Sequence, residues 1–356
     1  MHLQLVTPDI SSNSLGRTYC LWLLVQELGW TADVVATTGD EIWSPLAGTE
    51  FARSCRVQQV LDRRSLAGVD LIVSVKPLPA SLGVAHRAAV THAVPLLADV
   101  DDPDVEAMTV WRTPVKRVGS LVLTPREQLR LRRLRRLAQS LPTLVSNPVL
   151  HEIYGGAVVP HARPVSPEGA AHTSTAPHVA FVGTPRGHKG VDELRAAVGR
   201  LASSGFRLTV TSDAPADART WEHWVGATSL EEGRRLVAEA DVVAIPSTGT
   251  WARAQLPAKL VDAMMAGRAI AASAVPPVTW ALDGAGLTFT PGDVDSVTAA
   301  LAELRDPARR AELGALARAR ALSAFSVEAL APVFRDACEN AVSRGARPGW
   351  SRTPSR

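Results

Sequence analysis

Residues 241–273 constrain the fold of this chain more than any other stretch does. The apolar run 241–246 has the length and composition of a buried parallel strand. The helical pattern 259–266 follows and ends at Gly267, and the small apolar run 269–273 predicts a second buried strand. Parallel strands joined by a helix form a βαβ unit. The stretch therefore predicts a parallel sheet that is covered by helices.

An acidic side chain lies close to the start of this predicted helix. Pro257 stands where the helix begins, and Asp262 comes one turn later, beside the mouth of the loop 247–255. Ligands of open α/β sheets bind outside the carboxyl ends of the strands. We therefore expect Asp262 to meet a ligand. The alternatives are that Asp262 only stabilises the helix dipole, or that it pairs with Lys259 three residues earlier.

Composition places the chain among globular proteins of two domains. It has 356 residues, of which 46% are hydrophobic and 21% charged, with a net charge of +3. This charge does not predict a nucleic-acid partner, and no apolar run reaches the length of a membrane helix. Cys20, Cys55 and Cys338 lack metal or disulfide spacing. We expect a cytoplasmic protein without a signal peptide.

Both halves of the chain show the same alternation of strands and helices. The first half opens with a strand 2–7, a loop of small residues 8–16 and a helix 17–28, whose N-terminal amides can face an anion. The loop is not GxGxxG, so it lacks the fingerprint of a nicotinamide or flavin site. The second half begins with a strand 179–182 and a loop 183–190. The predicted fold class is α/β with two Rossmann-like, doubly wound domains.

Changes in composition predict the domain boundaries. Residues 162–177 are rich in Pro, Ser, Thr and Ala and show no periodicity, as in a linker. The predicted parts are a first domain 1–161, the linker 162–177, a second domain 178–325, a final helix 326–342 and a disordered basic tail 343–356.

Two motifs stand out in the second half, GTPRGHKGVDELRAAV and LPAKLVDAMMAGRAIAAS. Both resemble segments of the GT-B nucleotide-sugar glycosyltransferases, family-4-like and retaining. The segment GTPRGHKGVDELRAAV, which starts at Gly183, is similar to a loop and helix whose basic pair holds the donor diphosphate in that family. Lys189-Gly190 matches directly. The position of the family's arginine is Thr184 here, and Arg186 stands two residues on. The resemblance implies that Gly183, Arg186 and Lys189 bind the donor.

The second motif is LPAKLVDAMMAGRAIAAS, which resembles the family's segment of two acids separated by seven residues. Asp262 falls on the second acid, which binds the ribose hydroxyls, while Ala254 occupies the place of the first. Leu256 and Pro257 fall in the loop that faces the leaving phosphates.

The resemblance extends more weakly to the first half and implies a complete fold. Gly16 lies in a segment, SLGR, that looks like the family's glycine loop. The implied fold has two domains that face each other across a cleft, with a C-terminal helix that returns to the first domain.

The chemistry of the transfer explains why cations are expected on the loop 183–190. A departing nucleoside diphosphate needs charge stabilisation, which Arg186, Lys189 and a helix N-terminus can supply without a metal. We therefore predict no metal and no cofactor, with the nucleotide sugar as a substrate. The alternative is a solvated basic loop that caps a helix.

A short acidic cluster, Asp99-Val-Asp101-Asp102, follows a predicted strand of the first half. In the GT-A fold class a DxD pattern holds a metal on the sugar diphosphate. In the GT-B interpretation the strand end faces the cleft, and we expect Asp101 or Asp102 to contact the acceptor or the donor sugar. Of the two, Asp101 is the predicted catalytic group of the first domain. Related enzymes usually carry a histidine near this position, which the chain lacks.

The helix 126–139 carries six arginines against one acid, Glu127, with a predicted apolar stripe of leucines. The arginines are Arg126, Arg130, Arg132, Arg133, Arg135 and Arg136, and the stripe is Leu129, Leu134, Leu137 and Leu141. Such a helix can contact an anionic lipid surface from the cytoplasmic side, or an acidic acceptor. The alternative is a solvated helix face.

Taken together, the sequence predicts a glycosyltransferase that moves a sugar from a nucleoside diphosphate to an unidentified acceptor, with retention and without metal. The acceptor is a small molecule, a glycan or a lipid-linked compound, and no nucleic acid is involved. One alternative is a non-catalytic module of GT-B type that binds nucleotide sugars. The other is a metal-dependent GT-A enzyme that uses Asp99 and Asp101.

Overall fold

The structure, a computed structural model, describes residues 1–345, apart from the side chains of Leu121 and Val122. The chain forms two compact units. Unit 1 contains Met1–Ala162 and the segment that starts at Leu330, and unit 2 contains Arg163–Ala329. Most of the predicted tail lies outside the described residues, and its first three residues belong to the last helix. Among the helices of residues 1–345, none is long and apolar enough to cross a membrane.

Unit 1 is built on a sheet of seven parallel strands in the order β3-β2-β1-β4-β5-β6-β7. The strands are β1 (His2–Asp9), β2 (Thr31–Thr38), β3 (Cys55–Val57), β4 (Leu71–Val75), β5 (Leu96–Val100), β6 (Thr143–Val145) and β7 (Ala157–Val158). On β1, Val6 pairs with Val35 on one side and with Ser74 on the other. The strand order reverses beside β1, where doubly wound folds place their ligands.

Seven helices precede unit 2 in the chain, and an eighth helix of unit 1 follows it. The first seven are α1 (Ser14–Glu27), α2 (Glu50–Arg53), α3 (Leu82–His92), α4 (Asp104–Met108), α5 (Pro114–Leu123), α6 (Pro125–Ser140) and α7 (Pro148–Tyr154). Helices α4 and α5 were not predicted from the sequence. The predicted apolar stripe of α6 included Leu129, which lies outside the buried face of this helix. Leu129 is 49% exposed, because the buried face of α6 consists of Gln128, Leu131, Leu134 and Ala138.

Unit 2 is built on a sheet of six parallel strands in the order β10-β9-β8-β11-β12-β13. The strands are β8 (His178–Phe181), β9 (Arg207–Val210), β10 (Glu222–Trp224), β11 (Val242–Ile245), β12 (Ala269–Ser273) and β13 (Leu287–Phe289). The helices are α8 (Val191–Leu201), α9 (Leu230–Glu239), α10 (Gly249–Ala252), α11 (Ala258–Met265), α12 (Pro276–Leu282), α13 (Val294–Glu303) and α14 (Pro307–Ala324), followed by α15 (Val327–Gly345). The strand, helix and strand predicted at 241–273 are β11, α11 and β12.

Helices cover both faces of this second sheet. Along β11, Val243 and Ile245 belong to one apolar cluster, and Val242 and Ala244 belong to the other. Side chains of a strand alternate between faces, so a strand buried on both faces is apolar throughout. Helix α11 packs on the first of these clusters and is itself buried on most sides, including at Asp262.

The predicted linker contains no helix and is hydrogen-bonded to unit 2. The Gly169 amide donates to the carbonyl of Ala266, and the Ala170 amide donates to the carbonyl of Ala238, each over 2.9 Å. At the start of the segment, the amide of Arg163 donates to the carbonyl of Phe325. The segment from Arg163 onward is therefore a fixed part of unit 2.

Candidate functional site

Two loops meet at the carboxyl edge of the sheet in unit 2. The loop after β8 reaches Gly190, whose φ is +63° and where a Cβ would lie 1.9 Å from the carbonyl oxygen of Pro246. The amide of Thr248 also donates to the carbonyl of His188 over 2.8 Å. Only glycine fits at position 190, because both the backbone conformation and the space exclude a side chain. This glycine lets the loop after β8 pack against the loop after β11.

Lys189 joins the same two loops through its side chain. Its Nζ atom lies 3.0 Å from Oε1 of Gln255, in the loop that precedes α11. The backbone turns tightly here, since the Lys189 amide donates to the carbonyl of Arg186 over 2.7 Å. The side chain of Arg186 is exposed. The structure thus brings both predicted donor-binding cations onto one short turn at the edge of the sheet.

Gly183 leaves open space at the start of this loop. Its φ is +148°, and no heavy atom of the described residues lies within 4 Å of the position of an added Cβ. The hydroxyl of Thr211 accepts a hydrogen bond from the Gly183 amide over 2.7 Å and holds the loop in place. A ligand can therefore approach the backbone closely at this point.

Asp262 lies in a buried ion cluster. Its Oδ1 atom is 2.5 Å from Nε of Arg163, and its Oδ2 atom is 3.2 Å from Nζ of Lys259. Burial alone raises the pKa of the Asp262 carboxyl, but the charges of Arg163 and Lys259 outweigh it and hold the pKa below its ordinary value. Lys259 is the predicted partner. Arg163, 99 positions away in the chain, is the stronger one.

The remaining predicted residues of unit 2 surround α11. Leu256 is buried, and Pro257 is the residue before the first turn of α11, where it has no N–H to donate. Trp251 stacks on His188 with ring centroids 6.4 Å apart, next to Lys189. Trp280, the other tryptophan near this helix, packs edge-on against Phe325 at 5.9 Å and belongs to the core.

Gly16 and Asp101 belong to unit 1. The Gly16 amide already donates to the carbonyl of Asn13 over 3.0 Å, in the first turn of α1. An added Cβ on Gly16 would lie 3.2 Å from the ring of Trp43. The amide of Gly16 is therefore engaged within the first turn of α1, and its Cα faces the indole of Trp43.

Asp101 lies at the carboxyl end of β5 in a cluster of charges around Lys76. The ammonium of Lys76 is 3.2 Å from Asp101, 2.9 Å from Asp102 and 2.7 Å from Asp104. Burial raises the pKa of Asp101 to about 6 and that of Asp104 to about 7. The ammonium of Lys76 opposes this rise, and the neighbouring carboxylates add to it. One oxygen of each carboxylate already faces the ammonium, so the cluster has a resident cation in the form of Lys76.

Asp99 has a separate partner, which corrects the DxD interpretation. The guanidinium of Arg17 reaches its two oxygens at 2.6 Å and 3.0 Å, and both side chains are fully buried. The other donors of Arg17 bond to the carbonyls of Val159 and Pro160. Because Asp99 is enclosed and paired bidentately, it is not available to share a metal with Asp101.

Three important residues were not found from the sequence. Arg163 was assigned to the linker, Lys76 follows β4 without a recognisable motif, and Gln255 lies in a loop without periodicity. Of the three, only Lys76 could have been found from the sequence. It follows β4 directly, and the carboxyl ends of the parallel strands β4 and β5 lie at one edge of the sheet, which brings Lys76 close to Asp101.

Comparison with known proteins agrees with this architecture. Residues 176–306 match the profile of the family described as Glycosyl transferases group 1. A comparison with curated protein sequences found no match.

Solved structures of similar fold cover nearly the whole chain. HepE of Anabaena, in complex with UDP-glucose, matches with a TM-score of 0.72 and 16% identity over 96% of this chain and 100% of that chain. Sucrose-phosphate synthase from Thermosynechococcus elongatus matches with a TM-score of 0.69 and 16% identity over 97% of this chain and 100% of that chain. WaaG, a glycosyltransferase involved in lipopolysaccharide biosynthesis, matches with a TM-score of 0.61 and 13% identity over 97% of this chain and 100% of that chain.

The chain has the GT-B fold. This confirms the predicted fold class and excludes the alternative of a GT-A enzyme. The family match, which covers the loops around Lys189 and helix α11, confirms the predicted class of enzyme, a glycosyltransferase.

Proposed function

We propose that this protein transfers a sugar from a nucleoside diphosphate sugar with retention of configuration and without a metal. The observation that carries the proposal is the contact between Lys189 and Gln255, which places a cation between the two loops at the carboxyl edge of the second sheet. HepE is described in complex with UDP-glucose. We therefore propose a UDP-sugar as the first donor to test.

The chain's own groups can supply the charge stabilisation that the reaction needs. As the bond from the anomeric carbon to the diphosphate oxygen breaks, negative charge collects on the leaving phosphate. Lys189 and Arg186 stabilise that charge, and the open backbone at Gly183 allows close approach. The acceptor oxygen then bonds to the anomeric carbon on the same face, and its proton passes to the departing phosphate. We assign no proton transfer to Asp101, because its carboxylate is buried and paired with Lys76.

The proposed ribose contact of Asp262 has a geometric requirement. Its Oδ1 atom is engaged by Arg163, so a ribose hydroxyl would have to enter beside Lys259, whose side chain is 27% exposed. If this happens, a donor with 2′-deoxyribose should bind more weakly than the ribose donor. A ratio of 1 between the two affinities would assign Asp262 a purely structural role.

Binding of nucleoside diphosphates tests the donor site directly. We expect a thermal-shift screen with UDP, GDP, ADP and TDP to raise the apparent stability of the full chain for one base, since binding to the folded state stabilises it. In Lys189→Ala the dissociation constant should rise by about 10- to 150-fold, as expected for the loss of one charge-assisted contact of about 1.5–3 kcal/mol. Lys116→Ala, in the other unit, is the matched control.

Turnover separates the enzyme from a binding module. Hydrolysis of the nucleotide sugar without acceptor, lost in Lys189→Ala, would support transfer. Binding without turnover in every acceptor screen would support the module, for which Ala254 in place of the first motif acid is the specific argument. Equal affinity and equal turnover in the folded Lys189→Ala variant would contradict the proposed donor site.

A further inference from the structure

Helix α5 in unit 1 exposes apolar side chains. Val115 is 82% exposed, Val118 is 62% exposed, and Leu123 is 81% exposed. These positions fall on one side of a helix, within an arc that also contains Gly119. A single exposed apolar residue is ordinary, but a helix that turns a whole apolar side to water indicates a surface for binding.

The surroundings of this apolar side are strongly basic. Residues 110–140 contain nine Lys and Arg residues and one acid, Glu127, so this segment carries a net charge of +8 in a chain whose total is +3. The nine cations are Arg112, Lys116, Arg117, Arg126, Arg130, Arg132, Arg133, Arg135 and Arg136. The remainder of the chain is thus net negative, and the cations are concentrated on α5 and α6.

A cavity of about 300 Å³ lies between α5 and α6, and four of these arginines line it together with Thr109 and Val110. The four are Arg117, Arg132, Arg135 and Arg136. Arg135 is held in place, since its Nε atom lies 2.7 Å from Oε1 of Glu106 and its guanidinium lies over the ring of Tyr154. Within residues 1–345, no carboxylate forms an ion pair with Arg117, Arg132 or Arg136. The cavity therefore has the charge and the donors to hold a phosphate group.

We propose that α5 and α6 form a docking surface for an anionic lipid bilayer. The apolar side chains of α5 enter the boundary between headgroups and acyl chains, the arginines of α6 face the lipid phosphates, and the cavity takes one headgroup phosphate. A soluble anion would use the arginines but would leave the apolar side of α5 in water. The bilayer accounts for both features. The inference depends on unit 1 alone, so it does not depend on the proposed transfer reaction.

Vesicle binding by the full chain tests the proposal with two pairs of substitutions. We expect cosedimentation with vesicles of phosphatidylcholine that contain 30% phosphatidylglycerol, and at least tenfold weaker binding to vesicles of phosphatidylcholine alone. V115S/V118S removes apolar side chains and keeps every charge, whereas R132A/R136A removes cavity charges and keeps the apolar side. Each pair should weaken binding to the anionic vesicles at least tenfold. The control pair R219A/R305A removes exposed arginines of unit 2 and should bind like the wild type.

Three results would overturn the proposal. Wild-type binding by V115S/V118S would mean that the surface attracts anions without inserting apolar side chains. Equal binding to both types of vesicle would exclude recognition of anionic headgroups. Competition by millimolar inorganic phosphate that abolishes vesicle binding would identify the cavity as a site for a free phosphate. Circular dichroism of the variants checks that the exposed substitutions leave the fold intact.

Discussion

The ion pair between Asp262 and Arg163 gives the sharpest test of the structure of unit 2. The two side chains are only 4% and 10% exposed, and Asp262 to Asn keeps the size of the side chain while it removes the charge. The substitution removes the negative charge that faces the buried guanidinium of Arg163. Breaking a buried pair in this way typically costs about 3–5 kcal/mol. The amide oxygen of asparagine can still accept one hydrogen bond, so we expect a loss of about 3 kcal/mol in the free energy of unfolding.

Calorimetry and urea denaturation of the full chain measure this loss. For a unit of this size, about 3 kcal/mol corresponds to a fall of roughly 6–12 °C in the melting temperature of its transition. The matched control is Asp217→Asn, because Asp217 pairs with Arg195 at 3.2 Å but is 64% exposed. Exposed pairs contribute little to stability, so the control should hardly change the free energy of unfolding.

A double-mutant cycle shows whether the loss comes from the pair itself. Arg163→Met alone should destabilise, while the double variant Asp262→Asn with Arg163→Met should recover part of the loss, because no unpaired charge remains buried. The lowered pKa of Asp262 adds a pH test. Its stabilisation is present above the unfolded value of about 3.9 and is lost as the pH falls below it. A loss below about 1 kcal/mol in Asp262→Asn, or a cycle without coupling, would refute this reasoning.

Three further predictions follow from the other charged and glycine positions. Because Lys189 and Arg186 supply the positive charge at the proposed donor site, transfer should continue after EDTA treatment; complete loss with rescue by Mn²⁺ would contradict this. The raised pKa values of Asp101, about 6, and Asp104, about 7, mean that the folded state binds protons more tightly than the unfolded state. Stability from this source is present below about pH 4 and is lost as the pH rises to 7. The free energy of unfolding, measured by urea titration, should therefore depend less on pH in Asp104→Asn than in the wild type. Gly190→Ala should destabilise by well over about 1 kcal/mol in urea titrations, and more than Gly29→Ala, which has a similar φ of +65° but no neighbour within 4 Å.

Local patterns in the sequence were sufficient to predict the elements of the second sheet. The proline and glycine that bound α11, and the apolar runs on either side, are short-range signals, and β11, α11 and β12 follow them. Helix α5 has a similar signal in Thr113-Pro114 at its start, but its apolar side faces away from the unit. Because this apolar side does not pack on the core, α5 was not predicted from the sequence.

Long-range charge pairs could not be predicted in the same way. Asp99 and Arg17 are 82 positions apart, and Asp262 and Arg163 are 99 positions apart. No spacing rule links residues at such separations, because only the packed fold decides which buried carboxylate meets which cation. The sequence predicted that Asp262 meets a ligand, but it did not predict the ion pair with Arg163 of the predicted linker.

Unit 1 consists of two chain segments that are separated by the whole of unit 2. On the ribosome, residues 1–162 emerge before unit 2, while α15, which contributes the buried Phe334 and Cys338, is synthesised after it. Until then Trp30, whose ring centroid lies 6.4 Å from that of Phe334, lacks its partner. The uninterrupted segment that forms unit 2 can complete its folding earlier. The first segment of unit 1 must therefore wait, with apolar surface uncovered, until the whole of unit 2 has been synthesised. During this interval chaperones can protect the uncovered surface from aggregation.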